Sequence, residues 1–155
     1  SMHGSTQIAV DYLVGRLIEK NICVKPFNLV STALGKLAIS LVDAATIIIA
    51  SPTVLVGPHP QVMYATALIG ALRPKTKFLG IITSFGWAGK SSEVLESLLG
   101  NLKVEKLPNV SIKGLPQGID FETLKKLADE IEEKHRALNL SPCLSFPRRR
   151  ESRMF

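Results

Sequence analysis

The stretch Thr46-Ile47-Ile48-Ile49-Ala50 is an uninterrupted, mostly β-branched run with no charge. A run of this length and composition predicts a strand buried on both faces of a parallel sheet, where helices cover each side and hydrophobicity does not alternate. A second run, Phe78-Leu79-Gly80-Ile81-Ile82, predicts a strand of the same kind over Lys77 to Thr83. Between and around them the apolar period changes to that of helices. Thr6 to Glu19 carries Ile8, Tyr12, Leu13, Leu17 and Ile18 on one face, and Ala33 to Val42 is a weaker helix. Pro60 to Leu72 opens with the proline that a first helical turn tolerates. Ser91 to Leu99 has Ser91 or Ser92 available as a cap, and Asp120 caps a final amphipathic helix to about Ala137.

Further strands are predicted at Asn21 to Leu29, where Pro26 argues for a sheet edge, and in a broken region over Lys103 to Leu107 and Val110 to Lys113. Alternating strands and helices make an α/β domain with a doubly wound parallel sheet in three αβα layers. Ligands of such sheets lie at the carboxyl ends of the strands. One domain over residues 1–138 accounts for the pattern, and no internal repeat is present.

Residues 139–155 show no period and read as a disordered basic tail. The run from Ser145 to Arg153 resembles translated intergenic repeat DNA. Half of the net charge of +6 falls in the final eight residues, where Arg148, Arg149, Arg150 and Arg153 face only Glu151. The remaining charge is scattered, and no helix carries a basic stripe with interleaved aromatics, which argues against nucleic acid as a partner. No apolar run reaches the roughly 20 residues that cross a bilayer, and the polar first residues do not look like a signal peptide. A soluble, cytoplasmic protein without a membrane partner is the expectation. Cys23 and Cys143 lie far apart, and His3, His59 and His135 are not at ligand spacing, so no metal site is expected. No triad or pair of carboxylates suggests a catalytic side chain.

Three loops can carry a ligand. Ser1-Met2-His3-Gly4-Ser5-Thr6 runs into a helix and offers hydroxyls and free N–H groups at its positive end, enough to hold a phosphate without Lys or Arg. An ordinary helix cap explains the same residues. Ser51-Pro52-Thr53-Val54-Leu55-Val56-Gly57-Pro58-His59-Pro60 follows the Ile-rich strand; Thr53 and nearby main-chain groups can bond a flat heteroaromatic ring, and Gly57 opens a conformation closed to other residues. A plain Pro/Gly turn is the alternative. Ser84-Phe85-Gly86-Trp87-Ala88-Gly89 sets the only tryptophan among glycines at a strand end, which fits a stacking surface for a planar ligand, or else a tryptophan in a helix–sheet core.

Taken together, Ser-Met-His-Gly-Ser-Thr, Ser-Pro-Thr with a downstream Gly, and Ser-Phe-Gly-Trp-Ala-Gly resemble the three FMN loops of flavodiiron proteins, also called A-type flavoproteins. Ala71-Leu72-Arg73-Pro74-Lys75 and Lys113-Gly114-Leu115-Pro116 agree, and the resemblance covers roughly residues 1–137. It implies a flavodoxin-like fold and an FMN-binding electron-transfer domain of an oxygen- or nitric oxide-reducing oxidoreductase. Ser1, Met2, His3, Gly4, Ser5 and Thr6 would then cradle the phosphate. Pro52, Thr53, Val54 and Gly57 would line one side of the ring, with Ser84, Phe85, Gly86, Trp87, Ala88 and Gly89 on the other.

The partners so implied are a redox donor, such as a rubredoxin-like protein or a flavin reductase, and a diiron metallo-β-lactamase-like domain in the parent protein. The His-x-Glu-x-Asp-His signature of that domain does not occur in this chain. Two departures shape the expectations. Val54, Leu55 and Val56 stand where the family often has an asparagine. The strand that should precede the phosphate loop, central in the order 2-1-3-4-5, is missing from this sequence, which looks N-terminally truncated. Its loss predicts sheet edges facing a gap and a tendency to form a homodimer. A flavin-free flavodoxin-like remnant, acting as an interaction module or non-functional fragment, is the alternative.

Overall fold

The computed structural model describes residues 4–87 and 89–140. The order of elements is α1 (Ser5–Glu19), α2 (Leu34–Leu41), β1 (Thr46–Val54), β2 (Gly57–Pro58), α3 (Pro60–Leu72), β3 (Phe78–Phe85), α4 (Ser91–Leu98), β4 (Glu105–Lys106), β5 (Val110–Lys113) and α5 (Gly118–Ala137). The basic tail expected from residue 139 lies, from residue 141 onward, outside the described residues.

β1 and β3 pair in parallel from Thr46↔Phe78 to Pro52↔Ser84. The far edge of β3 takes β4 at its start and β5 at its end, so these two short strands act as one interrupted strand. β2 folds back antiparallel on the end of β1, pairing Thr53 with Pro58 and Val54 with Gly57. Two apolar layers cover the sheet. On one face α1 and α5 pack through Ala9, Leu13, Leu17, Leu124, Leu127, Ala128 and Ile131 onto Phe78, Ile82, Val110 and Ile112. On the other, α2, α3 and α4 pack through Leu37, Leu41, Val62, Ala65, Ile69 and Leu95 onto Ile47, Ile49, Leu79 and Ile81.

The strand buried on both faces is β3, in which every residue from Phe78 to Ser84 is buried. β1 alternates instead: Ile47, Ile49 and Ser51 are buried, whereas Thr46, Ile48 and Ala50 are half-buried. Its isoleucines signal a central strand, but apart from the two residues of β2 its outer edge has no ladder partner among the described residues. One face therefore stays partly open. The strand expected at Asn21 to Leu29 does not form. Pairing gives a strand its stability, and among the described residues the main chain from Cys23 to Phe27 makes no main-chain hydrogen bond. Its side chains still pack: Ile22 and Val24 join the first layer, Phe27 and Leu29 the second.

Helix ends differ from expectation in two places. Asp120 is not the cap of α5; Gln117 is, and Asp120 completes a capping box by accepting the Gln117 main-chain N–H at 2.8 Å. At α4 neither Ser91 nor Ser92 caps. Lys90 occupies that position without a side-chain bond, and the Ser91 hydroxyl is engaged elsewhere.

The amino ends of the strands are held by α5. His135 Nε2 lies 2.7 Å from Thr46 Oγ1, and its ring stacks on Phe78 at 6.2 Å between centroids. Lys20 bridges α1 to Asp129 and Glu132 of α5, and Lys134 pairs with Glu105. Desolvation of the half-buried imidazole lowers the His135 pKa from its ordinary 6.5. A depressed histidine binds its proton more readily unfolded than folded, so stability is full above pH 6.5 and falls as pH drops toward the folded value. Urea titrations across that window are expected to show this fall, and His135→Gln to flatten it. Gly70 supplies a second test. A Cβ there would sit 2.7 Å from the Leu98 carbonyl oxygen, forcing α3 and α4 apart. Gly70→Ala should cost about 1–3 kcal/mol in denaturant unfolding.

Candidate functional site

The carboxyl ends of β1 and β3 meet the start of α1, and the three loops singled out in the sequence converge there. Gly4 precedes α1 with φ +70, a left-handed conformation that favours glycine, and its carbonyl accepts the Ile8 N–H at 2.9 Å. No side chain caps the helix. The first-turn N–H groups that a cap would satisfy are thus left for an incoming acceptor. Ser5 and Thr6 are both buried. Thr6 Oγ1 lies 2.6 Å from Ser84 Oγ at the end of β3, which ties the first loop to the third. Ser1, Met2 and His3 lie outside the described residues, as does Ala88 of the third loop.

The second loop is a hairpin rather than a plain turn. Ser51 is fully buried; its hydroxyl donates to the Pro52 carbonyl at 2.9 Å and accepts the His59 N–H at 3.0 Å. That pair of bonds closes the hairpin at its root. Pro52 and Thr53 are half-buried, and Val54 is exposed. The left-handed position is taken by Leu55, with φ +59, and not by Gly57, whose φ is not positive. The conformational role expected of Gly57 therefore falls to Leu55. Gly57 instead pairs with Val54 in the hairpin. Leu55 is 86% exposed and is flanked by exposed Val54 and Val56, so the tip presents three aliphatic side chains.

The third loop is joined to the second by two contacts. Thr53 Oγ1 lies 2.8 Å from Ser91 Oγ, and the Lys90 N–H donates to the Val56 carbonyl at 3.2 Å. Gly89 packs against Thr53 closely enough that a Cβ would lie 3.0 Å from its Oγ1. Phe85 is half-buried, and its carbonyl accepts the Gly114 N–H at 2.8 Å. Gly86 and Gly89 are exposed. Trp87 is 83% exposed, which removes the reading that buries it in a helix–sheet core.

The arrangement offers main-chain N–H groups and hydroxyls at one end, then two loops bearing aliphatic and aromatic surface. Apart from the exposed Lys90, the described loop residues carry no Lys, Arg, Asp or Glu, and the arrangement suits a planar ligand with an anionic tail. Sequence reasoning missed Leu55, Ser91 and the Val56 carbonyl. A hydroxyl pair 38 residues apart and a main-chain acceptor leave no local pattern. Among the described residues no three His, Cys, Asp or Glu side chains stand together as metal ligands, and no helix is long and apolar enough to cross a membrane.

These features define a flavodoxin-like domain, and similarity to known structures agrees. The rubredoxin oxygen:oxidoreductase of Desulfovibrio gigas superposes with a TM-score of 0.82 at 28% identity, covering 89% of this chain and 35% of that one. A flavodoxin from the domain Archaea superposes at 0.73 over 88% of this chain and 94% of its own, and at 21% identity it supports the fold alone. No family model matches. In sequence, the chain is 37% identical over 90 residues to the rubredoxin-oxygen oxidoreductase of Megalodesulfovibrio gigas, covering 57% of this chain and 22% of the relative. It is 26% identical over 129 residues to the nitric oxide reductase of Moorella thermoacetica, covering 82% of this chain and 32% of the relative. The chain is thus a homologue of flavodiiron proteins, with the fold of their flavodoxin-like domain. It spans less than a third of the length of either relative.

Thr6→Val tests the tie between the first and third loops. It leaves the Ser84 hydroxyl buried without its partner, and equilibrium unfolding should register a loss of about 1–3 kcal/mol.

Proposed function

We propose that this chain is an FMN-binding electron-transfer domain of a flavodiiron-type oxidoreductase. The observation that carries the reading is the uncapped start of α1, with buried Ser5 and Thr6, set against the hydroxyl-tied second and third loops. The residues present fit the group. Gly4, Ser5 and Thr6 would hold the phosphate through main-chain N–H groups, hydroxyls and the helix dipole. Pro52, Thr53, Val54 and Gly57 would face one side of the isoalloxazine, and Phe85, Gly86, Trp87 and Gly89 the other. Ser1, Met2, His3 and Ala88 belong to the same proposal on sequence alone.

Bound FMN supplies the one- and two-electron redox chemistry. The chain binds and orients it, and no side chain here is asked to act as acid, base or nucleophile. Val54, Leu55 and Val56 make the second loop apolar, so ring polarity there depends on main-chain groups and Thr53. A small redox donor, rubredoxin-like or a flavin reductase, would deliver electrons. A diiron domain of the metallo-β-lactamase type in the parent protein would receive them and reduce dioxygen or nitric oxide. We place the protein in the cytoplasm, where the exposed thiol of Cys23 suits a reducing environment.

Titration of the chain into FMN and into riboflavin, followed by flavin fluorescence, tests this reading. Saturable quenching by the chain is expected for FMN and much weaker quenching for riboflavin. Ser5→Asp sets a carboxylate where the phosphate would sit. It should weaken FMN binding by at least about tenfold, or 1.4 kcal/mol, and leave riboflavin almost unchanged. Equal binding of the two flavins would remove the phosphate site from the proposal. A folded chain that quenches neither would be a flavin-free remnant.

A further inference from the structure

The hydroxyls of Thr53 and Ser91 lie 2.8 Å apart, and by distance alone either could donate to the other. Burial decides between them. Ser91 is 2% exposed at the start of α4, and among the described residues its hydroxyl has one partner, Thr53. A buried hydroxyl whose proton finds no acceptor carries its full desolvation cost. Were Thr53 the donor, the Ser91 proton would be left in that state. Ser91 therefore donates, and Thr53 Oγ1 accepts. The Thr53 proton then has no acceptor within the pair. Thr53 is half-buried and makes no other side-chain hydrogen bond among the described residues, so its proton turns to the crevice. The side chain has little room to swing away. Its branched Cβ restricts χ1, and its main chain is held in the hairpin opposite Pro58. Gly89 packs so closely that an added Cβ would lie 3.0 Å from Oγ1 and 3.4 Å from Cγ2 of Thr53. The bond from the Lys90 N–H to the Val56 carbonyl, 3.2 Å long, holds the start of α4 against the same hairpin.

We infer that Ser91 is a positioning residue of the candidate site: by donating to Thr53 Oγ1 it commits the Thr53 hydroxyl proton to the bound ligand. The inference rests on the FMN reading above and adds a direction to one of its bonds. Thr53 meets the ring as a donor. The part of the ring set against it must therefore be an acceptor, such as a carbonyl oxygen or an unprotonated ring nitrogen. Without the Ser91 hydroxyl the Thr53 O–H can turn, accepting as readily as it donates, and this discrimination is lost. Ser91 is buried and acts only through Thr53. Its place one helical turn inside neither loop explains why sequence patterns do not single it out.

Titration of the full chain into FMN tests the inference, with flavin fluorescence reporting affinity and the visible absorption band reporting the surroundings of the ring. Ser91→Ala should weaken binding about three- to tenfold and shift the band, the size expected for one hydrogen bond. Ser91→Cys keeps the volume with a much weaker donor and should fall the same way; it decides the matter where Ser91→Ala does not fold. The double-mutant cycle separates positioning from packing. In a Thr53→Val background, Ser91→Ala should change FMN affinity by less than about twofold, because the group it orients is gone. Affinity and band unchanged in the Ser91 variants overturn the inference. So does an equal loss in both backgrounds, which would mean that Ser91 acts on the fold and not through Thr53. An unaltered chain that binds no FMN overturns the FMN reading itself, and the inference with it.

Discussion

The parallel ladder between β1 and β3 is the constraint on which the rest of the structure depends. It sets Ser51 and Pro52 level with Thr83 and Ser84, so the loops that follow the two strands leave the sheet at the same height. It also fixes the isoleucine side chains that both helical layers cover. Ile82 and Leu124, on one side, are fully buried, and so is Leu95 on the other. The β3 interior is so close-packed that Gly80 cannot be enlarged without displacing the Ile48 side chain, whose Cδ1 would lie 2.7 Å from an added Cβ.

The two ends of the sheet use different chemistry. At the amino ends, charged groups dominate: Lys20 with Asp129 and Glu132, Lys134 with Glu105, and His135 on Thr46. Hydrogen bonding to Lys20 lowers the carboxyl pKa values of Asp129 and Glu132, and theirs to it raises the lysine. These groups lie at the surface, where ion pairs add little stability. The carboxyl ends, where the candidate site lies, are built from glycine, proline, hydroxyls and apolar side chains.

Much of this was legible in the sequence, for physical reasons. Helices α1, α3 and α5 are long enough for their apolar period to show, and Pro60 marked the start of one. The doubly wound parallel sheet followed from two apolar runs separated by helices, and its flavodoxin-like character from the resemblance of the three loops. Composition could not tell which run was central. Isoleucines in β1 and the mix in β3 both read as buried, and only strand order shows that, among the described residues, β3 is paired along both edges and β1 along one, apart from the two residues of β2. Asn21 to Leu29 has the residues of a strand, but a strand exists only through its partner. The site loops were found because glycine and a lone tryptophan are rare enough to stand out. The hydrogen bonds that align them were not, because Thr6 with Ser84 and Thr53 with Ser91 join residues 78 and 38 positions apart.

Those alignments have one property in common. Thr6 to Ser84, Thr53 to Ser91, Ser51 to His59 and Val56 to Lys90 join hydroxyls and main-chain groups only, so no proton equilibrium or counterion enters any of them. The ion pairs of Lys20 and Lys134 lie at the opposite end of the molecule. The bonds that space the three loops carry no charge, so a ligand held between them meets a frame aligned without help from the ionic medium.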